Sequence, residues 1–190
     1  MEDLLLIEEI TKNKPGAFQQ LVEKYQTLVI NTCYGFLHNY QDAQDVAQEV
    51  FIDVYRSIEK FRNESKISTW LYRISVNKSL NYIRDNKKRT WFQSLDILFE
   101  TEFKTGSSNS LSESPEEIIE NKEKMDVIQQ AIDKLAKNQK IAFTLYKYED
   151  LSYKEIADVM NISISSVESL LFRAKKNLQK QLISLYKKND

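Results

Sequence analysis

The sequence predicts an all-α protein made of two small helical domains that are joined by a flexible linker, with a helix-turn-helix in the second. The chain of 190 residues contains only three Gly and two Pro, too few for the many turns of a β-sandwich or barrel. Its apolar residues recur at helical spacing, with no convincing run of strict alternation. A Ser-rich segment at 106–114, poor in apolar residues, separates two halves.

Apolar periodicity predicts seven helices. They are expected at Ala17–Leu37, Gln41–Phe61, Ser68–Lys88, Pro115–Leu135, Asn138–Tyr148, Tyr153–Met160 and Ile164–Tyr186. The fourth has a strong start, because Ser114 can cap it, Pro115 suits its first position and Glu117 completes a capping box. We therefore expect a first domain at 1–92, an acidic and Ser-rich linker at 93–114 and a second domain at 115–190.

The composition excludes several kinds of site. Cys33 is the only cysteine and His38 the only histidine, so an intrachain disulfide and a Cys-based metal cluster are excluded. Both residues are expected to be structural, and we expect no metal or other cofactor. Glu2 and Asp3 precede only a short apolar run, and no stretch approaches the ~20 apolar residues that span a bilayer. A cytoplasmic protein without membrane insertion is expected.

Charge is segregated along the chain. Ten acidic residues oppose six basic ones in 1–62, but seven basic residues oppose one acidic residue in 66–90. Nine acidic residues oppose three basic ones in 91–130, and six basic residues oppose two acidic ones in 164–190. Two basic blocks separated by acidic ones suggest two polyanion contacts and a different partner surface. Ordinary solvated helix faces are the alternative.

The second predicted helix has an apolar stripe and an acidic row. The apolar stripe, which should face a core, consists of Ala43, Val46, Ala47, Val50 and Val54. The acidic row, joined by Gln48, consists of Asp42, Asp45, Glu49 and Asp53. Because carboxylates repel phosphates, this row should not touch DNA and suits a basic protein partner. A solvated acidic helix is the alternative.

The next helix carries cations and amides on one side: Arg73, Asn77, Asn81, Arg84 and Lys88. The cations suit phosphates, and the amides could read base edges. The two other sides are apolar, one with Ile67, Leu71 and Ile74, the other with Val76, Leu80 and Ile83. Trp70 is expected to be packed and at the edge of a pocket for an unstacked base. The preceding loop, with Arg62, Asn63 and Lys66, could line that pocket.

Residues 153–173 fit a helix-turn-helix. Ala157 is small where two helices would cross, and Asn161 stands at the turn, where Asn tolerates the left-handed conformation. The apolar positions are filled by Met160, Ile162, Val167 and Leu170 or Leu171. Ser163 can cap the second helix, whose exposed N-terminal turns would offer Ser165, Ser166, Glu168 and Ser169. A plain antiparallel helix pair is the alternative.

Three segments together resemble the sigma-70 family of transcription initiation factors. Residues 42–51 (DAQDVAQEVF) resemble its helix that binds core RNA polymerase. Residues 69–74 (TWLYRI), followed by Asn77, resemble the segment that melts and reads the −10 promoter element. Residues 151–157 (LSYKEIA) and 167–175 (VESLLFRAK) resemble its −35-reading domain. Two domains and a short linker match the extracytoplasmic-function (ECF) subgroup.

The resemblance implies a non-catalytic factor that directs core polymerase to −10 and −35 elements, contacting promoter DNA as duplex and as melted strand. The first domain would dock on the β′ clamp helices through Asp42, Asp45, Gln48, Glu49, Phe51 and Asp53. The −10 contacts would come from Arg62, Asn63, Lys66, Trp70, Arg73, Asn77, Asn81, Arg84 and Lys88. The −35 contacts would come from Ser165, Ser166, Glu168, Ser169, Phe172, Arg173, Lys175 and Lys176.

Further expectations follow from the same resemblance. The second domain would bind the β flap, and the acidic linker, with Asp96, Glu100 and Glu102, would thread towards the RNA exit path. Many family members are held inactive by an anti-sigma protein, so such a partner is expected. The family usually has basic residues where Glu168 and Leu170 stand, so its −35 base contacts do not carry over directly.

Two other classes of function compete with this interpretation. A helix-turn-helix regulator that works without polymerase would explain the second domain but not the acidic row or the Trp70 segment. A nucleic-acid enzyme would need a carboxylate cluster or a nucleophile beside the basic side of the helix, and the acidic row lies elsewhere.

Overall fold

The computed structural model describes residues 2–61, 65–97 and 127–189, and side-chain surroundings within 3–61, 65–86 and 127–184. In chain order the helices are α1 (Glu2–Thr11), α2 (Ala17–Leu37), α3 (Tyr40–Ser57) with a 3₁₀ turn (Ile58–Lys60), α4 (Ile67–Ile97), α5 (127–133), α6 (Lys137–Tyr148), α7 (Tyr153–Met160) and α8 (Ile164–Asn189). The predicted all-α class is confirmed. The Ser-rich segment and the predicted helix start at Pro115 lie outside the described residues.

Helices α1 to α4 pack around one apolar core, the N-terminal unit. Its buried side chains include Ile7, Ile10, Leu21, Val29, Val46, Val50, Val54, Ile67 and Leu71. The apolar stripe predicted for α3 is therefore confirmed as core. Burying a side chain of this size contributes about 1.5–3 kcal/mol of transfer free energy. This core fixes α3 and α4 beside each other.

Local signals end α2 and begin α3. His38 adopts the left-handed conformation at φ 55, and its N–H donates to the Tyr34 carbonyl. The side chain of Asn39 then accepts a hydrogen bond from the N–H of Asp42 at 3.1 Å and caps α3. Because only two residues connect the helices, α3 returns along α2.

Helices α6, α7 and α8 form a second core, the C-terminal unit, which includes side chains from the first unit. Its own buried residues are Ile141, Ala142, Leu145, Leu151, Ile156, Ala157, Val159, Val167 and Leu171. Phe36 of α2 and Tyr72 and Val76 of α4 are buried in the same cluster. Leu80 and Ile83 also pack against it, which accounts for the third side of α4. The two units therefore share buried surface.

The predicted helix-turn-helix is confirmed. Asn161 lies in the left-handed region at φ 54, between α7 and α8. Ser163 Oγ accepts a hydrogen bond from the N–H of Ser166 at 3.2 Å and so caps α8 as predicted. Helix α7 begins with a capping box in which Ser152 and Glu155 bond each other's backbone N–H.

Helices α1 and α4 depart furthest from the sequence prediction, and α3 ends at Ser57, four residues before the predicted Phe61. Helix α1 was not predicted, and it is held by Ile7 and Ile10 in the first core. Helix α4 extends past Lys88 to Ile97, because no Gly or Pro in that stretch stops it.

The lone cysteine and the lone histidine have the structural roles predicted for them. Cys33 is fully buried, and burial raises the pKa of its thiol to about 11. Burial lowers the pKa of His38 to about 4, and its ring packs between Tyr34 and Tyr148. Both side chains are therefore uncharged at neutral pH.

Candidate nucleic-acid interface

One side of α3 faces outward and forms what we call the α3 surface: Asp45, Gln48, Glu49, Ile52 and Tyr55. All five residues are exposed, and Ile52 and Tyr55 add apolar area beside the two carboxylates. Carboxylates beside exposed apolar side chains suit a basic protein partner better than phosphates.

The remaining residues predicted to bind a protein partner have internal contacts. The Tyr82 hydroxyl donates to the Asp42 carboxylate at 2.7 Å. The Lys78 ammonium lies 2.9 Å from Asp53 and 3.4 Å from Glu49, and these carboxylates, Asp53 first, raise the pKa of Lys78. Phe51 is only 9% exposed and belongs to the core, so its ring supports the α3 surface from beneath.

The polar side of α4 forms a second candidate surface, the α4 face: Arg73, Asn77, Asn81 and Arg84. Asn77, Asn81 and Arg84 are exposed, and Arg84 Nε donates to the adjacent Asp85 at 3.0 Å. The structure does not describe the side-chain surroundings of Lys88, and it does not describe Arg62 and Asn63.

Arg73 turns towards the C-terminal unit. Its Nε donates to the carbonyl of Val159 at 3.1 Å, and its Nη2 donates to the carbonyl of Asp158. Arg73 and Asn77 line a cleft of about 650 Å³ whose opposite wall includes Met160 and Asn161. Arg73, Lys66 and Asn161 also border an adjoining hollow of about 530 Å³. The polar end of the α4 face therefore looks into a cleft between the two units.

Trp70 lies at a different hollow. Its ring is half-buried and packs on Phe61, with ring centroids 5.1 Å apart. It borders a hollow of about 410 Å³ with the cationic residues Arg56 and Lys60. Trp70 is thus both packed and at a pocket edge, but the described residues do not bring it into one hollow with Arg73.

The recognition helix forms the third candidate surface, the α8 surface. All eight of its predicted residues are exposed: Ser165, Ser166, Glu168, Ser169, Phe172, Arg173, Lys175 and Lys176. Phe172 is 69% exposed and places a large apolar side chain on the same surface. The first turns of α8 are free to enter a groove, with three cations following them.

Sequence reasoning missed the residues that join the two units. The Tyr72 hydroxyl donates to the Glu149 carboxylate at 3.4 Å, across the boundary between the units. Burial raises the pKa of Glu149 to about 7, and the bond from Tyr72 partly offsets this rise. Gly35 lies where α2 approaches α6. The third side of α4 was the sequence signal that pointed to this contact.

The described residues contain neither a metal centre nor a membrane span. Within 2–61, 65–97 and 127–189, no group of three or more His, Cys, Asp and Glu is arranged to hold a metal ion. No helix in the same residues is long and apolar enough to cross a membrane.

Comparison with protein families divides the chain into two parts. Residues 21–89 match "Sigma-70 region 2", which covers the α3 surface and the α4 face. Residues 125–178 match "Sigma-70, region 4", which covers the helix-turn-helix.

Two curated proteins are similar over nearly their whole length. The RNA polymerase sigma-H factor of Pseudomonas aeruginosa is 37% identical over 183 residues, which cover 95% of this chain and 94% of that protein. The ECF RNA polymerase sigma-E factor of Escherichia coli K12 is 31% identical over 188 residues, 99% of this chain and 98% of that protein.

Two solved structures have the same fold. CnrH in complex with the cytosolic domain of CnrY is 19% identical at a TM-score of 0.65 and covers 95% of this chain and 96% of that one. The sigma factor RpoE from Bartonella quintana, in complex with the anti-sigma factor NepR, is 18% identical at a TM-score of 0.57, over 88% and 97%.

Proposed function

This chain belongs to the ECF group of the sigma-70 family of RNA polymerase sigma factors, and on that premise we propose that it binds core RNA polymerase and directs it to promoters with particular −10 and −35 elements. The observation that carries the proposal is the order of the two family matches. The first coincides with a unit that presents an acidic and a cationic surface, and the second with a helix-turn-helix.

Each surface then has a role. The α3 surface binds the β′ clamp helices, and the C-terminal unit binds the β flap. The α4 face and Trp70 act on the melted −10 strand, where unstacked bases can stack on an aromatic ring. The α8 surface reads the −35 duplex in the major groove. The functional domains are 1–92 and 115–190, joined by 93–114.

Two further roles belong to the same proposal. The chain acts in the cytoplasm and recognises promoter DNA. The polymerase, not this chain, catalyses RNA synthesis. An anti-sigma protein is a natural partner, because both solved relatives of the same fold are complexes with a second protein.

Run-off transcription with core polymerase on promoter fragments tests this function. Wild-type protein should give defined start sites, and Asp45→Lys with Glu49→Lys should weaken core binding by about ten-fold or more, because each reversal replaces attraction by repulsion. The matched control is Glu8→Lys with Glu23→Lys, which reverses two exposed charges on α1 and α2.

The outcomes separate the competing functions. Unchanged affinity of the α3 variant for core would contradict the role of the α3 surface. Specific binding to duplex promoter DNA without polymerase, together with no run-off product, would identify a free-standing helix-turn-helix regulator instead.

A further inference from the structure

Lys78 is a cation of α4 that is bound to the acidic row of α3. Its ammonium lies 2.9 Å from the Asp53 carboxylate and 3.4 Å from the Glu49 carboxylate, one helical turn away on α3. Asp53 first and then Glu49 raise the pKa of Lys78, so its charged form is favoured at this position. Lys78 is one of the basic residues of 66–90 for which the charge pattern suggests polyanion contacts. Its ammonium is directed instead to the row that suits a basic protein partner.

The three side chains differ in how open they are to such a partner. The exposed fraction is 63% for the Glu49 side chain, 42% for Asp53 and 25% for Lys78. Glu49 is therefore the carboxylate that a partner reaches most easily, whereas Lys78 approaches it from the side of α4. A cation of the partner and the ammonium of Lys78 compete for the same carboxylate.

Asp53 determines how strongly Lys78 neutralises Glu49. Coulomb attraction falls with distance, and the Lys78 ammonium lies closer to Asp53 than to Glu49. The flexible stem of lysine lets its ammonium move between neighbouring carboxylates. If Asp53 lost its charge, only Glu49 of these two carboxylates would still attract Lys78. Asp53 thus draws the ammonium away from Glu49 and leaves Glu49 able to pair with a partner.

An ion pair of this kind can be exchanged. Exposed pairs between lysine and a carboxylate are weak, because water screens them and the long side chains lose freedom when they pair. A basic partner that docks on the whole α3 surface can therefore displace Lys78 from Glu49. The free energy lost with the internal pair is subtracted from the free energy of binding.

We propose that Lys78 lowers the affinity of the α3 surface for core polymerase, and that Asp53 is a positioning residue that limits this effect by drawing the ammonium away from Glu49. Asp53 then affects polymerase binding without touching the polymerase, in contrast to the direct contact expected from the sequence. This inference rests on the proposed function, which assigns the α3 surface to the polymerase.

Competition with a dye-labelled wild-type chain for core polymerase measures the relative affinities of full-length variants. Lys78→Met keeps a long side chain but removes the charge, and it should bind core about three-fold more tightly at low salt. This gain should disappear at high salt, because salt screens exposed charges, whereas a change of packing would persist. Lys78→Arg keeps the charge and should not bind more tightly than wild type.

Asp53→Asn separates an indirect role of Asp53 from a direct one. In the wild-type background it should weaken core binding by about three-fold, because Lys78 then pairs with Glu49 alone. In the Lys78→Met background the same substitution should have no effect, because no ammonium remains to be repositioned. Equal losses in both backgrounds would show that Asp53 contacts the polymerase itself and would overturn its positioning role.

The matched control removes a cation from another exposed ion pair of the same unit. Lys12 pairs with Glu8 on α1, and Lys12→Met should leave the affinity for core unchanged, which excludes an effect of net charge. Unchanged or lower affinity of Lys78→Met at low salt would overturn the inference. Failure of the proposed function has a different result, because reversal of Asp45 and Glu49 would then leave core binding unchanged.

Discussion

Glu149 is a single residue whose charge is opposed by its surroundings. Burial is the main cause of its raised pKa, and the neighbouring charge of Asp150 adds to it, whereas bonds from Tyr72 and Thr32 lower it. A carboxyl group whose pKa rises to about 7 in the folded protein takes up a proton on folding. Burial of the charged carboxylate therefore lowers the free energy of unfolding. This loss is full above pH 7 and disappears below about pH 4.5.

We expect Glu149→Gln to stabilise the protein in a pH-dependent way, because glutamine resembles the protonated carboxyl group. The gain in the free energy of unfolding should be about 1–2 kcal/mol at pH 8 and should fall towards zero at pH 4.5. Urea titrations of both proteins at several pH values measure it. His38 and Lys140 are present in both proteins, so their titration cancels. A gain that does not change with pH would contradict the origin of the shift.

At the scale of single residues, some roles could be predicted from the sequence and others could not. The structural roles of Cys33 and His38 followed from their being alone of their kind. The pairing of Tyr72 with Glu149 did not, because it joins positions 77 residues apart and no local pattern encodes such a contact.

At the scale of elements, helices with both a periodic pattern and an end signal were predicted well. Helices α2 and α7 have the predicted bounds, since turn residues such as His38 and Asn161 end them. Helix α1 begins with consecutive apolar residues that give no clear period, and tertiary packing of Ile7 and Ile10 holds it. Surface residues of α8 were also predicted well, because exposure follows from the helical period.

Helix α8 carries the prediction that concerns promoter choice. Glu168 is exposed in its first turns and can accept a hydrogen bond from the exocyclic amine of cytosine. Glu168→Lys should therefore change the preferred −35 bases, by about 1–3 kcal/mol at one position. Selection from a randomised −35 library measures this change.

The matched control on the same helix is Lys176→Ala. If Lys176 contacts a phosphate, its replacement by alanine should weaken binding to all promoters about equally. It should also reduce the salt dependence of binding. If Glu168→Lys selects the same consensus as wild type, Glu168 does not read bases.

At the scale of the whole molecule, the division into two parts was predictable, but their packing was not. The charge blocks and the Ser-rich segment indicated two parts. Which apolar sides meet depends on three-dimensional shape at residues such as Gly35 and Phe36, whose neighbours come from the other half of the chain. An apolar row such as Val76, Leu80 and Ile83 predicts that another element packs on this side of α4. It does not indicate which element that is.

Shared buried surface predicts coupled unfolding. Both tryptophans, Trp70 and Trp91, belong to the first part of the chain, so their fluorescence reports that part, whereas far-UV circular dichroism reports all helices. In wild-type protein, the thermal transitions measured by fluorescence and by circular dichroism should coincide. In Gly35→Leu they should separate by several degrees, because the units no longer support each other. Separate transitions already in wild type would contradict the coupling.

The burial of Cys33 has a consequence for how this protein can receive signals. Oxidants and electrophiles react with exposed thiolates, and the one thiol in the sequence is enclosed in the core with a pKa raised to about 11. The folded chain therefore offers oxidants no thiolate with which to react. Its folded form should therefore tolerate an oxidising burst that inactivates cysteine-dependent regulators.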